Sequence, residues 1–171
     1  MGLEKYMTVV KQIKTLSENV KLFRLDVAKP FHFQAGQFVI LNVTDAQGRL
    51  QRRSYSIASS PKHTDYIELC VKILPDGRVS GVLDTVAIGT KIEIDGPYGK
   101  FTIDKKLKKE IILVAAGVGI APIRSLLFDL YESGYDQPVS LFFGFRFMDD
   151  YLFSDELVSL KGMYFQFTFV P

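Results

Sequence analysis

Gln51-Arg-Arg-Ser-Tyr-Ser-Ile-Ala-Ser-Ser-Pro61 is the most informative stretch of the chain. Side chains alternate along a β-strand, so Arg53 and Tyr55 are expected to share one face, about 7 Å apart. A guanidinium can hold a phosphate with two parallel hydrogen bonds, and an aromatic ring can cover a flat heterocycle. Taken alone, the stretch fits equally well an edge strand with one solvated arginine and one packed tyrosine.

The composition limits the classes of protein that need to be considered. The chain has 171 residues, 47% of them hydrophobic and 23% charged, as in one large or two small globular domains. Its net charge of +2 does not indicate nucleic acid or an anionic membrane as a partner. The single cysteine, Cys70, excludes an intrachain disulfide and an iron–sulfur cluster held by four cysteines of this chain.

No segment of the sequence predicts contact with a membrane. Residues 1–6 contain no apolar core of a signal peptide. The longest apolar run, residues 111–123, is too short to span a bilayer and contains glycine and proline. We therefore expect a cytoplasmic protein, without membrane attachment and without a bound metal.

The first hundred residues predict strands and turns. Six segments have strand-like apolar content and are separated by turn signals. They are residues 6–14, 20–27, 37–44, 52–58, 66–73 and 91–95. This spacing predicts a small antiparallel barrel or sandwich, with one short helix at residues 80–86.

The pattern changes near Lys109. Residues 111–116 are continuously apolar, which predicts a strand buried on both faces. The predicted elements after it are a helix at 121–133, a strand at 139–143, a helix at 154–160 and a strand at 164–170. This alternation indicates a parallel sheet with right-handed crossovers, and it places a domain boundary at residues 104–109.

A cluster of five lysines lies at this boundary. Its members are Lys100, Lys105, Lys106, Lys108 and Lys109. A solvated linker explains the cluster, and so does a docking patch for an acidic protein partner.

Gly117-Val-Gly-Ile-Ala-Pro122 follows the predicted buried strand and opens a helix. Its glycines allow a tight turn and close approach to a pyrophosphate, toward which the helix N-terminus points free amides. Pro122 suits a first helical turn but replaces the third glycine of the common dinucleotide fingerprint. A tight strand–helix turn that binds nothing is the alternative.

These motifs together resemble the ferredoxin–NADP reductase family. Residues 53–56 resemble its flavin signature Arg-x-Tyr-Ser, and residues 117–122 resemble its nicotinamide-nucleotide loop, with Val118 where many members have threonine. Further matches, in the family's order, are Ala35-Gly-Gln-Phe38, Gly77-Arg-Val-Ser-Gly-Val-Leu83, Gly96-Pro-Tyr-Gly-Lys-Phe101 and Phe143-Gly-Phe-Arg146 followed by Asp150-Tyr-Leu-Phe-Ser-Asp-Glu-Leu157. Several ordered matches over residues 35–157 are far more specific than any single one.

The resemblance implies a fold of two domains. A six-stranded antiparallel β-barrel that binds flavin is expected at residues 1–104, and an α/β nucleotide-binding domain at residues 109–171. The family's parallel sheet has the order 3-2-1-4-5, and the sequence ends after strand 3. We expect either a fragment or a chain whose sheet is completed by a second subunit. An apolar first strand left at the sheet edge would favour self-association.

The resemblance also implies roles for individual residues. Arg53 would neutralise a flavin phosphate, while Tyr55 would pack on the isoalloxazine and Ser56 would lie near N5, as the catalytic pair. Alternation places Ser56 opposite Tyr55, so either the strand ends there or the contact is made by the backbone. The implied flavin contacts are Arg53, Ser54, Tyr55, Ser56, Cys70, Val71, Lys72, Gly77, Arg78, Val79 and Ser80. The implied NAD(P)H contacts are Gly117, Val118, Gly119, Pro122 and Arg146.

FAD is favoured over FMN, because Gly77–Ser80 suits a pyrophosphate. NADPH is favoured over NADH, because no acidic residue ends the second strand and Arg146 suits a 2′-phosphate. The implied activity is hydride transfer from NAD(P)H to FAD, followed by electron transfer to a ferredoxin, a flavodoxin or an oxygenase component. The alternatives are a non-catalytic flavin-binding module and a fragment that mainly self-associates.

Overall fold

The fold is described from a computed structural model, for residues 4–164 and 166–171. The first six strands are β1 (Glu4–Ser17), β2 (Val20–Val27), β3 (Phe38–Thr44), β4 (Leu50–Ser56), β5 (Tyr66–Lys72) and β6 (Lys91–Tyr98). They form one antiparallel sheet in the order β4-β3-β6-β1-β2-β5. Helix α1 (Arg78–Thr85) lies between β5 and β6 in the chain. All six predicted strands and the helix are present, with ends that differ by a few residues.

The six-stranded sheet curls around a single apolar core. In β3, for example, Val39, Leu41 and Val43 are buried and alternate with more exposed residues, because every second side chain points to the same face. The predicted antiparallel barrel is confirmed as a barrel-like sheet, but it is not closed. In the described part of the chain, its edge strands β4 and β5 are joined only beyond β4, by a single bridge between Ile57 and Leu69.

The second sheet is parallel. It consists of β7 (Ile111–Ala116), β8 (Val139–Gly144) and β9 (Phe167–Val170), in that order. Helices α2 (Ile120–Glu132) and α3 (Ser154–Met163) form its two crossovers. This arrangement confirms the predicted strand–helix alternation and agrees with the expected order 3-2-1. The third strand was predicted from residue 164; β9 begins at Phe167, and Phe165 lies outside the described residues.

The expectation that the first parallel strand is buried on both faces is wrong. Leu113 and Ala115 are buried, whereas the side chains of Ile112 and Val114 are 63% and 71% exposed. Both crossovers step in the same direction across the sheet, so right-handed connections place α2 and α3 on the same face. Among residues 4–164 and 166–171, no element covers the other face.

Residues 105–107 form a 3-10 turn between the two sheets. The Asp104 side chain accepts a hydrogen bond from the Lys106 amide and so caps this turn. Lys105 lies 2.8 Å from Asp129 on α2, and Lys108 lies 3.5 Å from Asp136 after α2. Two of the clustered lysines are therefore paired with carboxylates on and just after α2.

The helices are too short for a bilayer. Within the described ranges, no helix is long and apolar enough to cross a membrane. Residues 1–3 of the N-terminal segment, from which the absence of a signal peptide was predicted, lie outside those ranges.

Candidate functional site

A cleft of about 720 Å³ lies where β4, β5, α1 and the start of α2 face one another. It is lined by Gln51, Arg52, Arg53, Ser54, Tyr55, Ser56, Cys70, Lys72, Leu74, Gly77, Arg78, Val79, Ser80, Val118, Gly119, Ala121 and Pro122. The structure thus brings both sets of predicted site residues to one cavity, with the exceptions of Val71, Gly117 and Arg146.

β4 forms the first wall of the cleft. The strand ends at Ser56, which agrees with the first of the two alternatives given for how Ser56 and Tyr55 could meet the same ligand. Both residues are half-buried and both line the cleft. Burial raises the pKa of Tyr55, and the nearby charge of Arg53 offsets this only partly, so the phenol is neutral at physiological pH.

Three cations surround this wall: Arg53, Lys72 and Arg78. All three side chains are exposed, and no carboxylate of the described residues lies within 4.0 Å of them. Arg52 is different, because its guanidinium lies 2.7 Å from the buried carboxylate of Asp95. Arg53 therefore has its charge available for an anionic ligand, whereas the charge of Arg52 is already neutralised.

The second wall is α1 and the loop before it. Gly77 caps the helix, and a Cβ at this position would lie 1.9 Å from Ser80 Oγ and 3.1 Å from the Leu74 carbonyl oxygen. Ser80 Oγ accepts a hydrogen bond of 3.2 Å from the Leu74 amide, which fixes the loop against the helix. The first amides of a helix have no intrahelical partner, and here they lie at the cleft beside Arg78.

The third wall is the glycine loop after β7. Gly117 has φ +50°, a left-handed conformation that favours glycine. Gly119 has an ordinary φ of −62°, and a Cβ added there would meet no atom within 4 Å. Neither conformation nor packing requires glycine at 119, so its small size leaves space in the cleft for a ligand. Pro122 lies in the first turn of α2, as predicted.

β5 contributes alternate residues to the cleft. Cys70 and Lys72 line it, whereas the side chain of Val71 is fully buried in the barrel core, because neighbouring residues of a strand point to opposite faces. The Val71 side chain therefore cannot contact a ligand in the cleft. Burial raises the pKa of Cys70 to about 12, so this thiol is not a reactive thiolate.

Arg146 lies away from these walls. It is exposed after the end of β8 and does not line the cleft. Gly117 shapes the turn and also does not line it. A role for Arg146 with a 2′-phosphate stays a prediction.

Arg124 on α2 was not predicted from the sequence. It is only 7% exposed, and its guanidinium binds Ala58, Glu68 and Glu156. The sequence contained one indication that Arg124 is buried. It lies four residues after Ile120 in the predicted helix and therefore on the same apolar face. Four more residues that line the cleft beside predicted ones were not predicted: Gln51, Arg52, Leu74 and Ala121.

Two family models match the chain. Residues 7–103 match an oxidoreductase FAD-binding domain. Residues 113–171 match an oxidoreductase NAD-binding domain.

The curated relatives that match the chain are longer than it is. The phenol hydroxylase P5 protein of Acinetobacter pittii (strain PHEA-2) is 33% identical over 99% of this chain and 47% of its own length. The reductase component of propane 2-monooxygenase from Gordonia sp. (strain TY-5) is 31% identical over 98% of this chain and 48% of its own length. The chain thus spans about half the length of these relatives.

A solved structure shows the same arrangement of elements. The Amycolatopsis cytochrome P450 reductase GcoB superposes with a TM-score of 0.89 and 26% identity, over 99% of this chain and 51% of its own. The fold, the cleft and both family models agree on one assignment, with FAD and NAD(P)H as its cofactors. The chain belongs to the ferredoxin–NADP reductase family.

Proposed function

We propose that the chain is the cofactor-binding part of a flavin-dependent oxidoreductase, in which a hydride passes from NAD(P)H to FAD and electrons then pass to a protein acceptor. One observation supports this most: residues of the flavin signature and residues of the nucleotide loop line a single cleft. A hydride moves only between atoms in near contact, so both cofactors must be held in one cavity.

The residues present fit FAD. Arg53 and Arg78 offer guanidinium groups that no carboxylate of the described residues pairs, and the first amides of α1 offer further donors for phosphates. A second cleft of about 520 Å³ shares Gly77 and Arg78 with the first and extends toward Asp45 and Arg49. This additional space beside the predicted pyrophosphate site favours FAD over FMN.

Tyr55 and Ser56 are proposed to act on the flavin ring. In the described part of the chain, no hydrogen bond uses either side-chain hydroxyl, so both are available to a ligand. The half-buried and neutral ring of Tyr55 would cover a flat heterocycle, and the Ser56 hydroxyl would donate a hydrogen bond at its edge. Lys72 and Cys70 complete the same wall from β5.

The nucleotide loop is proposed to hold NAD(P)H. The space beside Gly119 admits a pyrophosphate close to the backbone at the start of α2. Arg146 is proposed to contact a 2′-phosphate, which would favour NADPH over NADH. We place the boundary between the flavin and nucleotide domains at residues 104–109, which contain the 3-10 turn at 105–107.

An oxygenase component is the proposed electron acceptor. The relatives described above include the reductase component of a propane 2-monooxygenase, which motivates this choice over a ferredoxin or flavodoxin. The cytoplasm is the proposed location.

The absorption spectrum of the purified protein, recorded without oxygen before and after addition of NADPH, tests the function. We expect bound FAD and its bleaching by NADPH. A spectrum without flavin after incubation with FAD would contradict flavin binding. Flavin that dithionite reduces but saturating NADPH and NADH do not would contradict hydride transfer in this chain.

That last outcome is the result expected of the second candidate, a flavin-binding module that needs another chain. The exposed apolar face of the parallel sheet, including Ile112 and Val114, favours this candidate and also favours self-association. Sedimentation velocity, combined with the NADPH reduction test, separates both of these candidates from the proposed function. A monomer with NADPH-reducible flavin contradicts both candidates.

A further inference from the structure

Arg124 connects three elements of the molecule through one side chain. Its Nη1 donates to the Ala58 carbonyl oxygen at 2.8 Å and to Glu68 Oε2 at 2.6 Å. Its Nε and Nη2 donate to the two carboxylate oxygens of Glu156 at 2.6 and 2.8 Å. The guanidinium thus binds the segment just after β4, the middle of β5 and α3 at the same time.

Two of these contacts, and Arg124 itself, lie close in sequence to walls of the cofactor cleft. Ala58 follows Ser56 by two positions, and Glu68 precedes Cys70 by two positions. Arg124 itself follows Pro122 by two positions. The guanidinium therefore sets the distance between the flavin walls and the start of α2.

The surroundings keep the buried Arg124 guanidinium charged. Burial acts to lower the pKa of Arg124, but the hydrogen bonds and charges of Glu156 and Glu68 outweigh it and raise the pKa above its usual value. The rings of Phe128 and Phe153 each lie 4.8 Å from the guanidinium carbon. A buried charge held in this way has little freedom to move.

The far end of α2 has its own contacts with the barrel side of the molecule. Ser60 donates to the Glu132 carboxylate, and the exposed Lys62 ammonium donates to the Glu132 carbonyl oxygen at 3.2 Å. Without Arg124, α2 would stay attached near Glu132 while its first turn lost its fixed position at the cleft.

We propose that Arg124 is a positioning residue that holds the first turn of α2, with Gly119 and Pro122, at the distance from Tyr55 and Ser56 that hydride transfer requires. This inference rests on the proposed function. Arg124 does not line the cleft and acts through the elements that it connects.

Hydrogen exchange and flavin reduction in variants of the full chain test the proposal. In Arg124→Met, amides of residues 117–124 should exchange at least about tenfold faster than in the parent, while amides of β1 and β2 are unchanged. The rate constant of flavin reduction at saturating NADPH should fall about ten- to a hundredfold. The affinity for FAD should change by less than about threefold, because Arg53 and α1 are untouched.

Three further variants separate positioning from general stability. Arg124→Lys keeps the charge but cannot make all four hydrogen bonds. Compared with Arg124→Met, it should therefore recover more of the stability than of the rate constant of flavin reduction. Glu68→Gln is the milder substitution if Arg124→Met does not fold, and it should also lower the rate. Lys5→Met is the matched control, because it breaks a 2.8 Å ion pair with Glu93 within the barrel and should leave the rate unchanged.

Hydrogen exchange and the rate of flavin reduction can each overturn the proposal. Parental exchange at residues 117–124 in folded Arg124→Met and Glu68→Gln would overturn the proposal. A rate within about twofold of the parent in both variants would overturn it as well. If NADPH does not reduce the flavin of the parent, the proposed function fails, and hydrogen exchange alone decides whether Arg124 positions α2.

Discussion

The barrel and the parallel sheet bury their strands differently. Ile94 on β6 lies inside the barrel with no exposed surface, because the curled sheet encloses its own core. Val114 on β7 is equally apolar but 71% exposed, because both crossover helices lie on the other face. In the described residues the barrel thus encloses its own core, whereas the parallel sheet has one face uncovered. We expect substitutions to affect stability mainly in the first part and nucleotide use or association mainly in the second.

The largest effect is expected in the barrel core. Ile94→Ala removes buried methyl and methylene groups and leaves a cavity, so the free energy of unfolding should fall by about 2–5 kcal/mol. Urea denaturation followed by circular dichroism measures this change. A loss below about 1 kcal/mol would show that the barrel core tolerates cavities, and it would weaken the contrast with the parallel sheet.

Arg53→Met is expected to weaken FAD binding by about ten- to a hundredfold, since hydrogen bonds from a charged group contribute about 1.5–3 kcal/mol. Fluorescence titration of the apoprotein with FAD measures the affinity. Arg52→Met is the matched control on the same strand. Its charge is paired with Asp95, so it should reduce stability more than FAD affinity. Equal losses of affinity in both variants would contradict the assignment of Arg53.

Gly119→Val tests the nucleotide wall separately. The new side chain meets no protein atom within 4 Å of its Cβ, so stability should stay within about 0.5 kcal/mol of the parent. It fills space that we assign to the nucleotide, so the affinity for NADPH should fall about tenfold while FAD binding is retained. Titration of the FAD-loaded protein with NADP⁺ measures this effect. Unchanged NADP⁺ affinity would remove Gly119 from the site.

A pH-dependent effect on stability is expected from Cys70 at alkaline pH. Burial raises the pKa of the Cys70 thiol from 9.0 to about 12, so the unfolded chain loses this proton at a lower pH than the folded chain. The stability that the buried thiol provides is complete below pH 9 and decreases as the pH rises toward 12. Cys70→Ala should make stability less dependent on pH in this interval. Chemical denaturation at several pH values measures the difference, and identical slopes would contradict it.

The smallest change in stability is expected on the uncovered face. Val114→Thr should alter the free energy of unfolding by no more than about 0.5 kcal/mol, because the side chain is mostly exposed. If this face mediates self-association, the substitution should shift sedimentation toward the monomer. A loss of stability comparable with that of Ile94→Ala would mean that the face is covered in solution.

Much of the fold was predictable because its signals are local. Alternation and turn residues located the six barrel strands, and continuous apolar segments located β7 and β8. Three features depend on which elements come together in space, and no local pattern contains that information. They are the incomplete closure between β4 and β5, the uncovered face of β7 and the ion cluster around Arg124.

In the candidate site, too, features with local sequence signals were predictable and features that depend on the fold were not. Short motifs predicted most of the residues that line the cleft, because the glycines, Arg53 and Tyr55 act through local geometry. Val71 was predicted to contact the flavin. It lies between Cys70 and Lys72 on a strand, however, where alternation directs its side chain into the core. A resemblance between segments does not distinguish the two faces of a strand, whereas the period of two does.

The single bridge between Ile57 and Leu69 has a thermodynamic consequence. β4 and β5 are the two edges of the barrel, and both form walls of the cofactor cleft. A ligand that contacts both edges connects strands that have few hydrogen bonds to each other, and it binds the folded chain only. Binding and folding are then linked by mass action, so barrel stability rises with the logarithm of the free FAD concentration once this exceeds the dissociation constant.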